Sequence, residues 1–185
     1  KIQPNMWSHT IAILIGGQSS RMGMPKQDVL LPNGQTMLDT MVSFAEKNAS
    51  RLVIVGGQID GCESIQDKRH NDGPVAGIEA LLASNIDQEY LVVGCDMPQL
   101  RTADIRPLIA CEGNAVFSYE NKILGLPLKI SQEMLSACTT YLDSQKRSIK
   151  GFITLCPHTS IPINSSQLKT MTSVNTREDV SQLFG

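Results

Sequence analysis

Short continuous apolar runs, rich in Val, Ile and Leu, occur at Thr10 to Ile15, Arg51 to Val55, Tyr90 to Gly94 and Ala115 to Tyr119. Each is bounded by Gly or polar residues, which predicts a strand. Between the first three the apolar spacing turns helical. Thr36 is placed to cap a helix through about Asn48, with Met37, Met41, Phe44 and Ala45 along it. Pro74 opens another through Ser84, with Val75, Ile78, Leu81 and Leu82 on one side. Apolar strands alternating with amphipathic helices imply a mostly parallel sheet covered on both faces. The predicted fold is a Rossmann-like three-layer α/β sandwich, and ligands of such folds bind outside the carboxyl ends of the strands.

Beyond Ser118 the alternation is less regular. Glu120-Asn121 predicts a turn, Ile123 to Ile130 a second extended segment interrupted by Pro127, and Ser131 to Leu142 a helix. The sheet is therefore expected to be mixed. Thr159 to Ile163 reads as a last short strand, and Thr176 as the start of a helix with apolar contacts at Val180, Leu183 and Phe184. There is no internal repeat, low-complexity tract or linker, so residues 1–185 read as one domain.

Composition narrows the function classes. With 18% charged residues and a net charge of −2, the chain is not a general nucleic-acid binder, and any anion site must gather its cations locally. No apolar run approaches the ~20 residues of a membrane span, which predicts a cytoplasmic protein. Cys62, Cys95, Cys111, Cys138 and Cys156 are widely spaced without a Cys-x-x-Cys pair and read as reduced thiols. His9, His70 and His158 are scattered, without paired ligands.

The candidate chemistry begins where the first strand ends. Leu14-Ile15-Gly16-Gly17 leads into a loop carrying Arg21 and Lys26, so bare backbone N–H groups and two cations fall together, as a polyanion requires. Neither the Walker A spacing nor the Rossmann Gly-x-Gly-x-x-Gly is present. Asp96 comes one residue after the run Tyr90 to Gly94 and so falls at the carboxyl edge of a central strand, a suitable address for Mg²⁺ shared with phosphate oxygens. Asp67 and Asp72 lie on the approach to Gly73-Pro74 and by themselves read as solvated loop acids beside Lys68 and Arg69. Lys146, Arg147 and Lys150 form a small basic cluster that reads as a solvated helix face. Cys95 reads as a buried strand-end thiol rather than a nucleophile.

Leu14 to Lys26 resembles the signature of the MobA-type nucleotidyltransferases, Leu-x-Gly-Gly-x-Ser-x-Arg-Met-Gly-x-x-Lys, at every fixed position. Further segments follow in the family's order: Asp72-Gly73-Pro74-Val75-Ala76-Gly77, Cys95-Asp96-Met97-Pro98, Gly125-Leu126-Pro127-Leu128, and Val174-Asn175-Thr176-Arg177-Glu178-Asp179-Val180. The resemblance implies a fold of the nucleotide-diphospho-sugar transferase type. It also implies Mg²⁺-dependent transfer of GMP from GTP to the terminal phosphate of molybdopterin, with release of pyrophosphate. In that reading Arg21, Lys26 and Asp96 are catalytic, and Asp96 holds the metal. Leu14, Ile15, Gly16, Gly17, Lys26, Asp67 and Asp96 bind the nucleotide, with Asp72 the rival to Asp67 for the base. Other proteins of molybdenum cofactor biosynthesis and recipient molybdoenzymes are the implied partners, with no nucleic acid and no membrane. Gly16 follows the guanylyl-transferring pattern rather than the Leu-Ala-Ala-Gly of related cytidylyltransferases. The chain departs from the family at Ile15, where alanine is usual, and at Gly56-Gly57, where a polar contact to the nucleotide is often found. Alternatives are a cytidylyltransferase on the same pterin, another small-molecule nucleotidyltransferase, or a non-catalytic nucleotide-binding regulator.

Overall fold

The computed structural model describes residues 6–16, 24–69 and 72–184, apart from the side chains of Arg177, Leu183 and Phe184. Gly17, Arg21 and His70 lie outside the described residues, as do the side chains of Leu183 and Phe184.

Among the described residues seven strands form one sheet: β1 (Trp7–Leu14), β2 (Ala49–Val55), β3 (Ser64–Ile65), β4 (Glu89–Gly94), β5 (Ala115–Tyr119), β6 (Lys122–Ser131) and β7 (Thr159–Pro162). Their spatial order is β3-β2-β1-β4-β6-β5-β7. β1, β2, β3 and β4 run parallel, β6 is antiparallel to both its neighbours, and β5 pairs parallel with β7. The helices are α1 (Met37–Asn48), α2 (Pro74–Ser84), α3 (Thr102–Ala110), α4 (Leu135–Asp143), α5 (Ile149–Ile153), α6 (Ser165–Met171) and α7 (Arg177–Phe184).

Two apolar layers sandwich the sheet, because successive strand residues point to opposite faces. Ile11, Ile13, Ile54, Leu91 and Val93 pack with Leu38 and Met41 of α1, Ile105 and Leu108 of α3, and Met171 of α6. Ala12, Val53, Val55, Tyr90 and Val92 pack with Val75, Ile78 and Leu81 of α2, Cys138 and Tyr141 of α4, and Phe152 of α5. The expected three-layer sandwich is the observed architecture, and it buries enough apolar surface to stand without staples; all five cysteines are free.

Thr36 caps α1 in a reciprocal box with Asp39, and Pro74 occupies the first turn of α2, as their positions predict. Three features differ from expectation. β1 begins at Trp7, three residues earlier. Pro127 does not interrupt β6, because it falls between the pairings Val116↔Leu128 and Ser118↔Ile123, where the register shifts and no regular ladder bond is required. The helix expected from Ser131 opens as a single tight turn over Gln132–Met134, and only then becomes α4.

The chain leaves β1 toward β2 and β3, then returns to place β4 on the opposite side of β1. The strand order thus reverses between β1 and β4, and their carboxyl ends open a crevice there.

Candidate active site

Three strand ends make the floor of this crevice. The Ile15 N–H donates to the Val55 carbonyl at 2.8 Å, the Cys95 N–H to the Leu14 carbonyl at 3.0 Å, and the Gly56 N–H to the Ile65 carbonyl at 3.0 Å. Above the floor lies a cleft of about 810 Å³, lined by Leu14, Ile15 and Gly16 from β1, Gly56, Gly57, Asp67 and Asp72 on one side, and Lys26, Asp96, Leu126 and Ile149 on the other. This volume suits a nucleotide-sized ligand.

At one end, Lys26 Nζ donates to Asp96 Oδ2 at 2.9 Å and to Asn175 Oδ1 at 2.6 Å. The sequence alone suggests that Lys26 and Asp96 stand on opposite walls; instead they touch. Lys26 is aimed by its neighbours. Val29 and Leu31, just after it, are buried with Met37 of α1 and Val174, so the segments carrying Lys26 and Asn175 share one small apolar cluster. The Val174 N–H also donates to the Asp96 carbonyl at 2.8 Å. Asn175 is fixed in turn by Asp179, whose Oδ2 accepts from the backbone N–H groups of Asn175 and Thr176, each at 2.8 Å. Those bonds, the Asn175 one foremost, hold the Asp179 carboxyl below the usual carboxylate range. Thr176 and Asp179 cap the following helix, and the same cap aims Asn175 at Lys26.

Gly94 makes room for the carboxylate. A Cβ at this position would stand 2.5 Å from Asp96 Oδ1. Cys95, between them, is buried, and burial pushes its thiol up to about 12, so it is not a nucleophile near neutral pH.

At the other end stands Asp67. Its Oδ1 is buried with no hydrogen-bond partner, and this desolvation raises the carboxyl pKa above the ordinary value. The oxygen sits over the first turn of α2, where a Cβ on Gly77 would come within 3.3 Å of it. Asp72, the rival for the base, is engaged instead: Arg147 Nη2 lies 3.2 Å from its Oδ1. Arg147 also donates to the carbonyls of Leu142 and Lys146, so Lys146 and Arg147 belong to the loop between α4 and α5 rather than to a solvated helix face. Arg69, beside these acids, forks onto Glu79 at 2.7 and 3.0 Å and reaches Asp143 at 2.8 Å. The Arg69 bonds hold the Glu79 carboxyl below its ordinary value.

The two departures from the family pattern meet in space. Gly56 has φ +95°, and a Cβ on Gly57 would lie 2.8 Å from Ile15 Cδ1. The Ile15 side chain fills the volume that a side chain at position 57 would claim.

Asp96 fits a divalent ion that arrives with its own oxygens. Among the described residues no group of three or more His, Cys, Asp or Glu side chains converges to hold a metal. Mg²⁺ typically takes one or two carboxylates and completes its shell with phosphate oxygens and water, which one cleft-facing carboxylate satisfies. Among the described residues no helix is long and apolar enough to cross a membrane.

A doubly wound sheet with a cation–carboxylate pair at its switch point and a carboxylate with one buried, unpartnered oxygen across the cleft defines a nucleotide-handling α/β enzyme. Residues 11–158 match the MobA-like NTP transferase domain, and the chain belongs to that family of nucleotidyltransferases. It is 28% identical over 179 residues to the molybdenum cofactor guanylyltransferase of Xanthomonas euvesicatoria pv. vesicatoria, covering 95% of this chain and 94% of the relative. It is also 28% identical over 193 residues to the probable molybdenum cofactor guanylyltransferase of Carboxydothermus hydrogenoformans, covering 97% and 96%. The crystal structure of molybdopterin-guanine dinucleotide biosynthesis protein A from Archaeoglobus fulgidus superposes with a TM-score of 0.79 at 18% identity, covering 95% and 96% of the two chains.

Proposed function

We propose that this protein transfers GMP from GTP to the terminal phosphate of molybdopterin, forming the guanine dinucleotide and pyrophosphate. The observation that carries the reading is the division of one cleft into two chemistries: the Lys26–Asp96 pair at one end and the unpaired Asp67 oxygen at the other. The names of the full-length relatives support guanine and the molybdenum cofactor.

Asp67 accepts the N1–H and exocyclic amine of guanine, which gives its orphaned oxygen the donor it lacks. The β1 end, Leu14 to Gly16, supports base and sugar through close backbone approach, and the family signature adds Gly17 to the residues proposed to bind the nucleotide. Lys26 places its ammonium on the triphosphate, with Arg21 proposed beside it by the same signature. Asp96 holds Mg²⁺, which neutralises triphosphate charge and polarises the α-phosphate when bound. Little covalent work falls to the protein: alignment of the acceptor phosphate with the α-phosphorus and stabilisation of the departing pyrophosphate carry the rate.

Thermal denaturation with GTP, CTP and ATP, with and without Mg²⁺, tests the nucleotide side. GTP at about 100 times its dissociation constant is expected to stabilise the fold by ~2.7 kcal/mol. Stabilisation by CTP and not GTP would refute the guanine assignment. Pyrophosphate release from GTP on adding molybdopterin tests the transfer, and GTP binding without release would leave a nucleotide-binding regulator.

A further inference from the structure

The segment Gln66-Asp67-Lys68-Arg69-His70-Asn71-Asp72-Gly73 joins β3 to α2 and contains no apolar side chain. Burial of hydrocarbon therefore cannot position it, and polar ties must. Among its described residues Gln66 meets Gln58 at 3.3 Å on the exposed surface, and Asp72 meets Arg147 at 3.2 Å. The strongest tie is Arg69. Its planar fork takes both oxygens of Glu79 in α2, and the same Nη2 reaches Asp143 at the end of α4. Glu79 is only 14% exposed and accepts also from Thr139 of α4, so the anchor is set in the packed helical layer.

Asp67 lies two residues before this anchor, and its Oδ1 rests over Gly77, two residues before Glu79. Loop and helix are thus pinned side by side at the place where the carboxylate faces the cleft. We propose that Arg69, through Glu79, is a positioning residue for base selection: it lines the same cleft, but its guanidinium is taken up by Glu79 and Asp143, and it acts by holding Asp67 at the depth where its oxygen meets the guanine edge. This rests on the reading that Asp67 contacts guanine. A bidentate guanidinium fixes direction as well as distance, whereas a lysine at this site would supply charge without the fork.

Binding of GTP and ITP to the full chain in Mg²⁺ buffer, by calorimetry, tests the proposal, since ITP lacks only the exocyclic amine. Asp67→Asn is expected to abolish the preference for GTP. Arg69→Leu and Glu79→Gln are each expected to reduce that preference by about tenfold, the loss of one well-placed charged hydrogen bond. Their combination should be no worse than either alone, and Arg69→Lys should restore part of the preference. If Asp67→Asn loses the preference while Arg69→Leu and Glu79→Gln keep it, the positioning role is refuted and the Asp67 reading stands. Equal weakening of GTP and ITP in the Arg69 and Glu79 variants would also refute it, because general loosening of the fold does not choose between bases. A preference retained by Asp67→Asn refutes both readings. Should Arg69→Leu fail to fold, Glu79→Gln and Arg69→Lys carry the same comparison.

Discussion

Asp67→Asn is expected to stabilise the nucleotide-free protein while weakening GTP binding. A buried polar atom without a partner costs ~1–3 kcal/mol, more when charged. Only one Asp67 oxygen is sealed off, and the rest of the side chain is partly exposed, so solvent screening discounts the gain to about 1 kcal/mol. For a chain of this size that corresponds to a rise in Tm of ~2–4 °C. The pH dependence follows from the raised carboxyl pKa of the folded state. As pH rises, the unfolded chain releases the Asp67 proton first, so between the two pKa values the folded protein binds more protons. Stability therefore falls with rising pH through that window and stays lower above it. The variant lacks this slope, and its advantage over the parent is small at acid pH and largest near neutrality. Denaturation across pH without nucleotide, followed by GTP titration, reads both effects. A Tm at neutral pH equal to or below the parent, or an unchanged pH slope, refutes the assignment of an unpaired buried charge. A raised Tm with unchanged GTP affinity refutes its use in binding.

Asp96→Ala is expected to abolish GMP transfer while the far-UV spectrum is retained, and Lys26→Ala to raise the GTP dissociation constant; full turnover in the first or unchanged affinity in the second counts against their roles. Gly94→Ala should lower turnover by at least about tenfold with a native spectrum, because the new Cβ must displace the Asp96 carboxylate. Gly57→Ala should destabilise by ~1–3 kcal/mol through its clash with Ile15, and adding Ile15→Ala should relieve that cost; additive losses in denaturant melts would show that the two positions do not couple. Alkylation at neutral pH, read by mass spectrometry, should leave Cys95 and Cys138 unmodified in the native protein, both thiols being pushed by burial up to about 12; rapid labelling of either would contradict that burial.

The parts of the site that depend on strand ends were legible in the sequence. Leu14 and Asp96 sit where apolar runs stop, and a parallel sheet sends such positions to one edge. The α1 and α2 starts were legible because Thr36 and Pro74 carry local signals. Thr102–Ala110 gave no such signal: Pro107 falls inside it, and the nine residues of α3 hold only Asp104, Ile105 and Leu108 fully inward. Which acid keeps an unpaired oxygen at the cleft was not legible, because Asp67 and Asp72 differ only in partner. Arg147 reaches Asp72 from the loop after α4, and nothing local in either segment announces that pairing. The same holds for Arg69, whose fork selects Glu79 only once α2 has been laid beside the loop.

The contact between Lys26 and Asn175 spans 149 positions of sequence. A chain in which only β1 to β4 had assembled would possess the cleft floor but an unaimed ammonium, so nucleotide affinity becomes a checkpoint on folding of the second half. Ligand that binds only the finished arrangement draws the equilibrium toward it by mass action. GTP should therefore shield the segment around Val174 and Asn175 from proteolysis and hydrogen exchange as strongly as it shields the segment around Lys26, although 149 positions separate the two residues in contact.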